Sequence, residues 1–464
     1  MDEPSITNSQ TKRITLFVVT VGAFLTPFDA SSVNVALPSI GREFSMDAIS
    51  LGWVAMAYIL TSAMFLLPFG RTADIRGRKR IFTAGIVLFT LASLSMVLSR
   101  STAMFLCFRI LQGIGAAMMF STGIALLTSV FPAEERGKAL GINVAAVYFG
   151  LSIGPFLGGF LTLHFGWRSI FFVNVPLGLM LVALISLKLK GEWAEAKGER
   201  FDWIGSVIYC LGLTAIMYGF SSFSSLPALL GTGLILLGGS GILVFLKWEV
   251  KVGNPILNIT LFKNNRVFTF SNMAALISYS ATYAVTFFLS LYLQYLRKLS
   301  PQNAGLILVC QPLVQAIGSP FAGRLSDRME PRIIASTGMG LTAMGLFLLT
   351  FLGTNTALKL IMGDLALLGL GFALFSSPNI YAIMSSVEKR FYGVASGIQA
   401  TMRLTGQTFS MGVTVFLMAI YVGHTALTPE SYPLFLKSMR YAFLFFGSLC
   451  SAGIFASLSR GKLR

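Results

Sequence analysis

The sequence predicts an all-α polytopic membrane protein with 14 transmembrane helices, and three observations support this fold class. Of the 464 residues, 55% are hydrophobic and only 11% are charged, whereas soluble proteins carry about 25% charged residues. The mean hydropathy is +0.76. The apolar residues are also gathered in runs that reach the roughly 20 residues a helix needs to cross the hydrocarbon core. A soluble fold has no place for this much apolar surface.

Each predicted helix is one such run, separated from the next by a shorter and more polar segment. In chain order the helices cover residues 14–38, 50–70, 80–99, 102–130, 138–162, 169–188, 203–222, 227–247, 268–296, 301–323, 332–353, 357–380, 391–421 and 439–459. The segment 203–247 is compatible with one hairpin or with two full spans. An outer-membrane β-barrel does not fit, because its strands would be about 10 residues long with alternating polarity.

Composition excludes several other classes of protein. Four cysteines in the whole chain exclude a disulfide-stapled secreted domain. The 40 Phe and the few charges exclude a disordered chain. All four cysteines lie inside apolar runs, so we expect buried free thiols, and no Cys/His cluster has the spacing of a metal site. We therefore predict no metal and no bound cofactor.

The net charge is +17, and the Lys and Arg residues that cause it are distributed unevenly between the loops. If the N-terminus lies inside, 25 of the 35 Lys and Arg fall in inner segments and 8 in outer segments. Cytoplasmic loops of membrane proteins carry this excess of positive charge. We therefore predict a multi-pass protein of the inner (cytoplasmic) cell membrane with both termini in the cytoplasm. Nucleic-acid binding is not expected.

An internal repeat divides the chain. A G-R-x-x-D pattern follows the second helix at Gly70–Asp74 and returns 253 residues later, after the tenth helix, at Gly323–Asp327. Six helices per repeat and an inserted pair give this offset. We therefore predict an N-terminal six-helix bundle (1–190), an inserted helix pair with its loops (191–267) and a C-terminal six-helix bundle (268–464). Large transporter folds are built from such repeats, with the substrate site near the midplane between the halves.

Five motifs, in the right order on the predicted helices, resemble the major facilitator superfamily. The loop 70–80 is similar to the superfamily's first signature loop, from which Thr72 and Ile75 depart. Residues 29–38 in the first helix resemble the D-x-T-x-V-N-V-A-L-P signature of the fourteen-helix drug:proton antiporter branch, with Ser31 in place of Thr.

The other three motifs lie on the fourth, fifth and sixth helices. Residues 109–115 are similar to the superfamily's intramembrane arginine motif, and residues 166–178 resemble this branch. The fifth helix carries a pattern that resembles the antiporter motif, made of Gly150, Gly154, Pro155, Gly158 and Gly159. The resemblance covers nearly the whole chain.

The resemblance implies a major facilitator fold of two six-helix bundles and two inserted helices, and a function in transport. We expect a proton-coupled antiporter that exports hydrophobic, cationic or amphiphilic compounds by alternating access, as in multidrug efflux. Its partners would be a small-molecule substrate, protons and the lipid bilayer, with the proton gradient in place of a cofactor. We also expect it to act as a monomer.

Other functions stay open at this point. The arginines in the helices would equally suit an organic anion, a sulfonate or a lipid-like cargo. A non-transporting membrane receptor is disfavoured by the repeat and by the charges inside the helices. An enzyme is disfavoured because the sequence has no catalytic constellation, and ATP-driven transport because it has no G-x-x-x-x-G-K-[ST] loop.

Three charged residues inside the helices are candidates for proton and substrate coupling: Asp29, Asp364 and Arg109. A carboxylate within the bilayer must be protonated, paired or exposed to water. Asp29 could therefore carry a proton or neutralise a cationic substrate, or it could be a structural group bonded to Ser32 or Asn34 on its own helix. Asp364 could be a second such site or a residue in the shallow headgroup zone. Arg109 needs an acceptor because it stays charged when buried.

The remaining candidates fall into three groups. The substrate cavity is predicted to include Asn34, Gln112, Tyr58, Tyr283 and Arg403, although Arg403 could instead extend to the inner membrane surface. The gating loops are predicted to include Gly70, Asp74, Gly77, Arg78 and Asp327, with Asp74 paired to Arg78 or capping a helix. The antiporter-motif glycines recur every four residues and predict close helix packing on one face.

Overall fold

The computed structural model describes residues 9–224, 227–263, 265–326, 328–388 and 391–461. Every regular element within these ranges is helical, and 14 of the described helices are long and apolar enough to cross a membrane. The predicted fold class is confirmed. The segment 203–247 forms two full spans rather than a single hairpin of half-length helices.

We label the spans α1 to α14 in chain order. Their bounds are α1 Ser9–Glu43, α2 Ala48–Arg76, α3 Arg78–Val97, α4 Thr102–Val130, α5 Ala133–Phe165, α6 Arg168–Lys188, α7 Trp203–Ser221, α8 Ala228–Glu249, α9 Arg266–Leu296, α10 Pro301–Ser326, α11 Pro331–Leu349, α12 Leu358–Ser385, α13 Tyr392–Tyr421 and α14 Tyr432–Ser459. The last turn of α9 is a π-helix.

Several helices run beyond their apolar cores. α1 has 35 residues and is about 50 Å long at 1.5 Å per residue, longer than the hydrocarbon core of about 30 Å. The ends of this helix that hydropathy predicted, residues 14 and 38, therefore lie about five residues inside the observed ends. α14 begins at Tyr432 and not at residue 439, because Lys437 and Arg440 interrupt the apolar run without interrupting the helix.

The two halves use the same internal packing. In the N-terminal half, α1 packs on α5, α2 on α4, and α3 on both α4 and α6. Eight spans later the pattern returns, with α9 on α13, α10 on α12, and α11 on both α12 and α14. The halves meet where α5 packs on α10, α2 on α13 and α1 on α9.

The inserted pair lies at the edge of this contact. α7 packs on α2 of one half and on α13 of the other, and α8 packs mainly on α7. Tyr209 of α7 donates a hydrogen bond to the Ala63 carbonyl of α2, 3.1 Å away. Gly412 of α13 approaches Met217 and Phe220 of α7 closely. The pair therefore touches both halves without entering the space between them.

Two faces of the bundle are distinguished by charge. We call the face that carries segments 71–80, 131–138, 188–202 and 247–267 the basic face, and the face that carries segments 43–48 and 421–432 the opposite face. α1 begins at the basic face, where Lys12 lies 3.0 Å from Glu135 at the start of α5.

Candidate substrate cavity and its buried ion pair

Asp29 of α1 and Arg109 of α4 form an ion pair in the middle of the N-terminal half. Arg109 Nη1 lies 2.7 Å from Asp29 Oδ2, and the two side chains are 1% and 0% exposed. Asp29 is about 30 Å along α1 from its start. A charge this deep needs a partner, because desolvation would otherwise cost several kcal/mol. The partner is on another helix, whereas the neighbouring Ser32 donates to the Gly154 carbonyl.

A polar network surrounds the pair. Gln112 donates from Nε2 to Asp29 Oδ1 at 3.0 Å and to Ser93 Oγ at 3.0 Å, and its Oε1 accepts from Arg109. Asn174 Nδ2 of α6 donates to the same Asp29 oxygen at 2.8 Å. Three side-chain donors therefore contact the Asp29 carboxyl group, and the network ties α1, α3, α4 and α6 together at one point.

Tyr58 of α2 separates this pair from open space. The Arg109 guanidinium lies 4.4 Å from the centre of the Tyr58 ring, which is a cation–π contact. The Tyr58 hydroxyl donates to the Thr26 carbonyl of α1 at 3.3 Å. Tyr58 itself lines the central cavity, so the ion pair lies one side chain behind the cavity wall.

The cavity lies between the halves and has two connected parts. We call the part of about 150 Å³ the central chamber and the part of about 480 Å³ the vestibule. They share five lining residues: Phe120, Val147, Tyr148, Tyr279 and Arg403. The vestibule is also lined by Gly137 and Tyr392, in the first turns of α5 and α13, so it reaches the basic face.

The central chamber is aromatic and carries hydrogen-bonding groups. Four of the predicted cavity residues line it, namely Asn34, Tyr58, Tyr283 and Arg403. Gln112 does not, because it is turned into the ion-pair network. Sequence reasoning missed a group of glutamines on α10 and α13 that also line it, namely Gln311, Gln315 and Gln407. They stand in ordinary apolar runs, so nothing in the sequence marks them.

Arg403 is the one charged side chain among the residues that line the central chamber and the vestibule. Its guanidinium lies 5.2 Å from the centre of the Phe120 ring. Within the described part of the chain no acidic residue lines either part, and Asp29 is paired with Arg109. The cavity therefore presents a net positive charge to whatever enters it.

Asp364 lies in α12, apart from the cavity. It is 9% exposed, and neither carboxylate oxygen has a hydrogen-bond partner among the described residues. It faces α11, where a Cβ added to Gly345 would stand 3.1 Å from Oδ1. As the seventh residue of α12, it is within the helix and not in a frayed end.

The antiporter-motif glycines bring α5 against helices of both halves. A Cβ on Gly150 would stand 2.6 Å from the Phe24 carbonyl oxygen of α1, and one on Gly158 would stand 2.7 Å from Ser32 Cα. Gly154 approaches α1 between them. On another side of α5, the Pro155 carbonyl and Gly159 lie against Gly305 and Pro301 of α10. The backbone of α5 therefore packs closely against α1 and, across the interface between the halves, against α10.

The α2–α3 loop is held by ion pairs at the basic face. Arg78 Nη2 lies 2.8 Å from Asp74 Oδ1 and its Nη1 lies 2.6 Å from Glu195 Oε1. Gly77 adopts φ +117°, which a side chain would strain. Gly70 lies one turn before Asp74 in α2. The predicted partner position in the second repeat, Asp327, lies outside the described residues.

The segment 189–202, which we call the linker, covers this loop. Glu192 accepts from the backbone N–H groups of Lys79 and Arg80, at 2.8 and 3.1 Å, and so caps the start of α3. Ala196 N donates to the Asp74 carbonyl at 2.9 Å, and Glu199 pairs with Arg71. The linker therefore binds the gating loop through several residues, among them Glu192, Glu195, Ala196 and Glu199, which its sequence did not predict.

The halves are joined at the opposite face. His424 Nδ1 lies 2.6 Å from Asp47 Oδ2, Ser290 Oγ donates to the Asn34 carbonyl at 2.6 Å, and Gln294 Nε2 donates to the Val35 carbonyl at 2.8 Å. Burial opposes the ionisation of Asp47, but hydrogen bonds from Ser50 and His424 outweigh it and lower the pKa of this carboxyl. The cavity is thus closed toward the opposite face and extends toward the basic face.

Comparison with known proteins gives the same picture over nearly the whole chain. The family model described as "Major Facilitator Superfamily" matches residues 19–262 and 271–461. A bacterial homologue of the human lysosomal transporter Spinster, in a crystal structure described as inward-facing and unoccupied, has a TM-score of 0.64 and 16% identity. The match covers 97% of this chain and 98% of that one.

Curated relatives are transporters and export proteins. The riboflavin transporter RibZ of Clostridioides difficile (strain 630) is 32% identical over 406 residues, which is 87% of each chain. The multidrug resistance protein Stp of Mycobacterium tuberculosis (strain CDC 1551 / Oshkosh) is 32% identical over 426 residues, 90% of this chain and 78% of Stp. The cephamycin export protein CmcT of Amycolatopsis lactamdurans is 32% identical over 417 residues, 87% of this chain and 85% of CmcT.

Proposed function

Because this chain belongs to the Major Facilitator Superfamily, we propose that it is a proton-coupled exporter of aromatic small molecules that are uncharged or anionic. The observation that carries the proposal is the lining of the cavity, where Arg403 is the single charged residue among those the structure describes. Aromatic rings and amide groups supply the remaining contacts. A relative named for riboflavin transport agrees with an aromatic, uncharged cargo, and one named for cephamycin export agrees with an anionic cargo.

The same lining disfavours the cationic cargo that the sequence first indicated. A cation about 4 Å from the Arg403 guanidinium would be repelled by about 4 kcal/mol at an effective dielectric constant of about 20. Asp29 cannot offset this repulsion while it is paired with Arg109 and covered by Tyr58. An acidic or uncharged ring system meets no such penalty.

The ion pair is the proposed proton site. In this structure Asp29 is paired with Arg109 and the cavity reaches the basic face, which the excess of Lys and Arg indicates is the cytoplasmic side. This corresponds to the stage after proton release and before cargo binding. Protonation of Asp29 from the opposite side would release Arg109 and loosen α1 from α4 and α6. Cargo and proton would therefore be coupled through these helices, since Asp29 lies behind the cavity wall.

The test is transport in proteoliposomes under an imposed pH gradient, with three ring-containing probes of different charge. We expect pH-driven accumulation of riboflavin, which is uncharged, and of a cephamycin carboxylate, and little accumulation of ethidium, a cation. Transport of ethidium alone would contradict the proposed cargo class. Facilitated flux of all three without any response to the gradient would contradict proton coupling.

Orientation can be tested separately. We expect reporter fusions at residue 464 to report the cytoplasm and fusions at residue 225, between α7 and α8, to report the outside. The reason is the 25 to 8 division of Lys and Arg and the rule that positive loops stay in the cytoplasm. A cytoplasmic signal from position 225 would place the segment between α7 and α8 inside the cell and contradict the predicted topology of the inserted pair.

The gating loop gives a prediction about rate. Asp74→Ala removes the carboxylate that holds Arg78 on the loop. This half-exposed pair contributes about 1 kcal/mol, so we expect transport to slow about fivefold while cargo affinity stays unchanged. Initial rates and equilibrium binding of the same cargo check this. Glu135→Ala is the matched control, because it removes an exposed ion pair with Lys12 on the same face and should leave the rate unchanged. Loss of cargo binding in Asp74→Ala would place the loop in the substrate site instead.

A further inference from the structure

Two buried carboxyl groups meet where the inserted helices reach the basic face. Asp202 caps the N-terminus of α7, accepting from Gly205 N at 2.9 Å and from Trp248 Nε1 at 3.0 Å, and is 7% exposed. Glu249 is the last residue of α8 and is 3% exposed. Its Oε2 accepts from Leu257 N at 2.8 Å.

Asp202 Oδ2 and Glu249 Oε1 lie on the same side of Gly205. Glu249 Oε1 has no donor among the described residues, and Glu249 is within hydrogen-bond reach of Asp202. A Cβ added to Gly205 would meet Asp202 Oδ2 and Glu249 Oε1 together. The glycine therefore leaves the space in which the two acids make contact.

No basic side chain neutralises the acids within the described part of the chain. The nearest charged residues in sequence, Arg200, Lys247 and Lys251, are all exposed, and none pairs with Asp202 or Glu249. Glu199 of the linker is already paired with Arg71. Within the described residues, the hydrogen-bond donors to the two carboxyl groups are the N–H groups named above and the backbone N–H of Ile256.

We propose that Asp202 and Glu249 form a proton-binding site that holds one proton between Glu249 Oε1 and Asp202 Oδ2. Two ionised carboxylates within hydrogen-bond reach of each other in a buried setting repel each other. One shared proton converts this repulsion into a hydrogen bond. When the proton leaves, it passes to water at the basic face and two negative charges remain. The site is separate from Asp29 and needs no cargo.

The site has a structural consequence for the linker. Asp202 is the last linker residue, and the other end of the linker binds the gating loop through Glu192 and Glu195. A protonated pair fastens the linker to α8, and a doubly ionised pair pushes the two apart. Rising pH at the basic face should therefore loosen the inserted pair.

Infrared difference spectroscopy of the full chain in lipid nanodiscs tests the site. Between about pH 6 and about pH 9, the wild type should lose the C=O stretch of the protonated carboxyl group shared by Asp202 and Glu249, and this loss should persist in Asp364→Asn, which removes another buried carboxyl. Glu249→Gln and Asp202→Asn should each lack this titrating band, and the amide of Asn still caps α7. Glu430→Gln, an exposed acid on the opposite face, is the matched control and should keep the band.

Thermal unfolding gives a second measure that does not depend on one band. The unfolding midpoint of the wild type should fall over the same pH interval, whereas that of Glu249→Gln should stay constant. A band of equal size in wild type and Glu249→Gln would overturn the site. Recovery of the alkaline midpoint by added Mg²⁺ would overturn it too, because the acids would then bind a metal cation in place of a proton.

Discussion

Asp29→Asn is expected to reduce pH-driven export to the level of empty liposomes. The amide keeps the shape of the side chain but cannot take up a proton or carry the charge that holds Arg109 at 2.7 Å. Removing one partner of a buried pair also leaves the other charge unpaired, which costs about 3–5 kcal/mol. We therefore expect a lower yield of folded protein as well as lost coupling, and transport must be normalised to the folded fraction.

Two further variants separate coupling from folding. Asp29→Asn combined with Arg109→Gln removes both charges, so it should recover the folded yield but not the pH-driven export. Asp364→Asn is the matched control, because it changes a second intramembrane carboxyl that lines neither part of the cavity, and its effect should be smaller. Full export by Asp29→Asn with loss in Asp364→Asn would invert this assignment.

Arg403→Gln is expected to change which cargo the cavity accepts. A hydrogen bond to a charged group contributes about 1.5–3 kcal/mol, so we expect the affinity for an anionic cargo to fall about 10- to 150-fold. An uncharged cargo should lose little, and cationic aromatic compounds should gain affinity. Binding of a cephamycin carboxylate, riboflavin and ethidium to the purified variant measures all three effects.

The control for Arg403 is an arginine outside the cavity. Arg440 lies in the first turns of α14 near the opposite face and donates to the Thr350 carbonyl, so Arg440→Gln should leave all three affinities unchanged. If the anionic cargo binds Arg403→Gln as tightly as the wild type, the positive charge of the cavity does not select the cargo.

The sequence predicted the fold because its signals are local. Apolar runs, the charge of the loops and the repeated G-R-x-x-D pattern are each read from neighbouring residues, and the 14 spans are confirmed. The ends of the spans were less accurate. The first turns of α14 are polar, as at Lys437, and hydropathy cannot distinguish a helix that continues into the interface from a loop.

Contacts between pairs of site residues were predicted only where the two lie about one helical turn apart, as Asp74 and Arg78 do. The contacts of Asp29 with Arg109, Gln112 and Asn174 cross between helices and depend on packing. A single Asn or Gln in an apolar run has no partner until the fold supplies one. The same limit applies to the linker, whose acids contact residues more than 100 positions away along the chain.

The antiporter motif was partly predictable because its glycines recur at a regular spacing within one helix. Glycines at every fourth position mark a face for close packing, and this is where α5 meets α1. The sequence could not show that Gly159 and Pro155 face α10 of the other half. That contact depends on how the two bundles associate, and it places the motif at the interface that must change during alternating access.

Proton flux that depends on cargo is the most direct test of coupled export. Wild-type proteoliposomes with a clamped membrane potential and a pH-sensitive dye would be given a riboflavin gradient and no pH gradient. We predict that protons move opposite to the cargo, and that the signal disappears in Asp29→Asn. Cargo flux without proton movement, or protons moving in the same direction as the cargo, would contradict proton-coupled export.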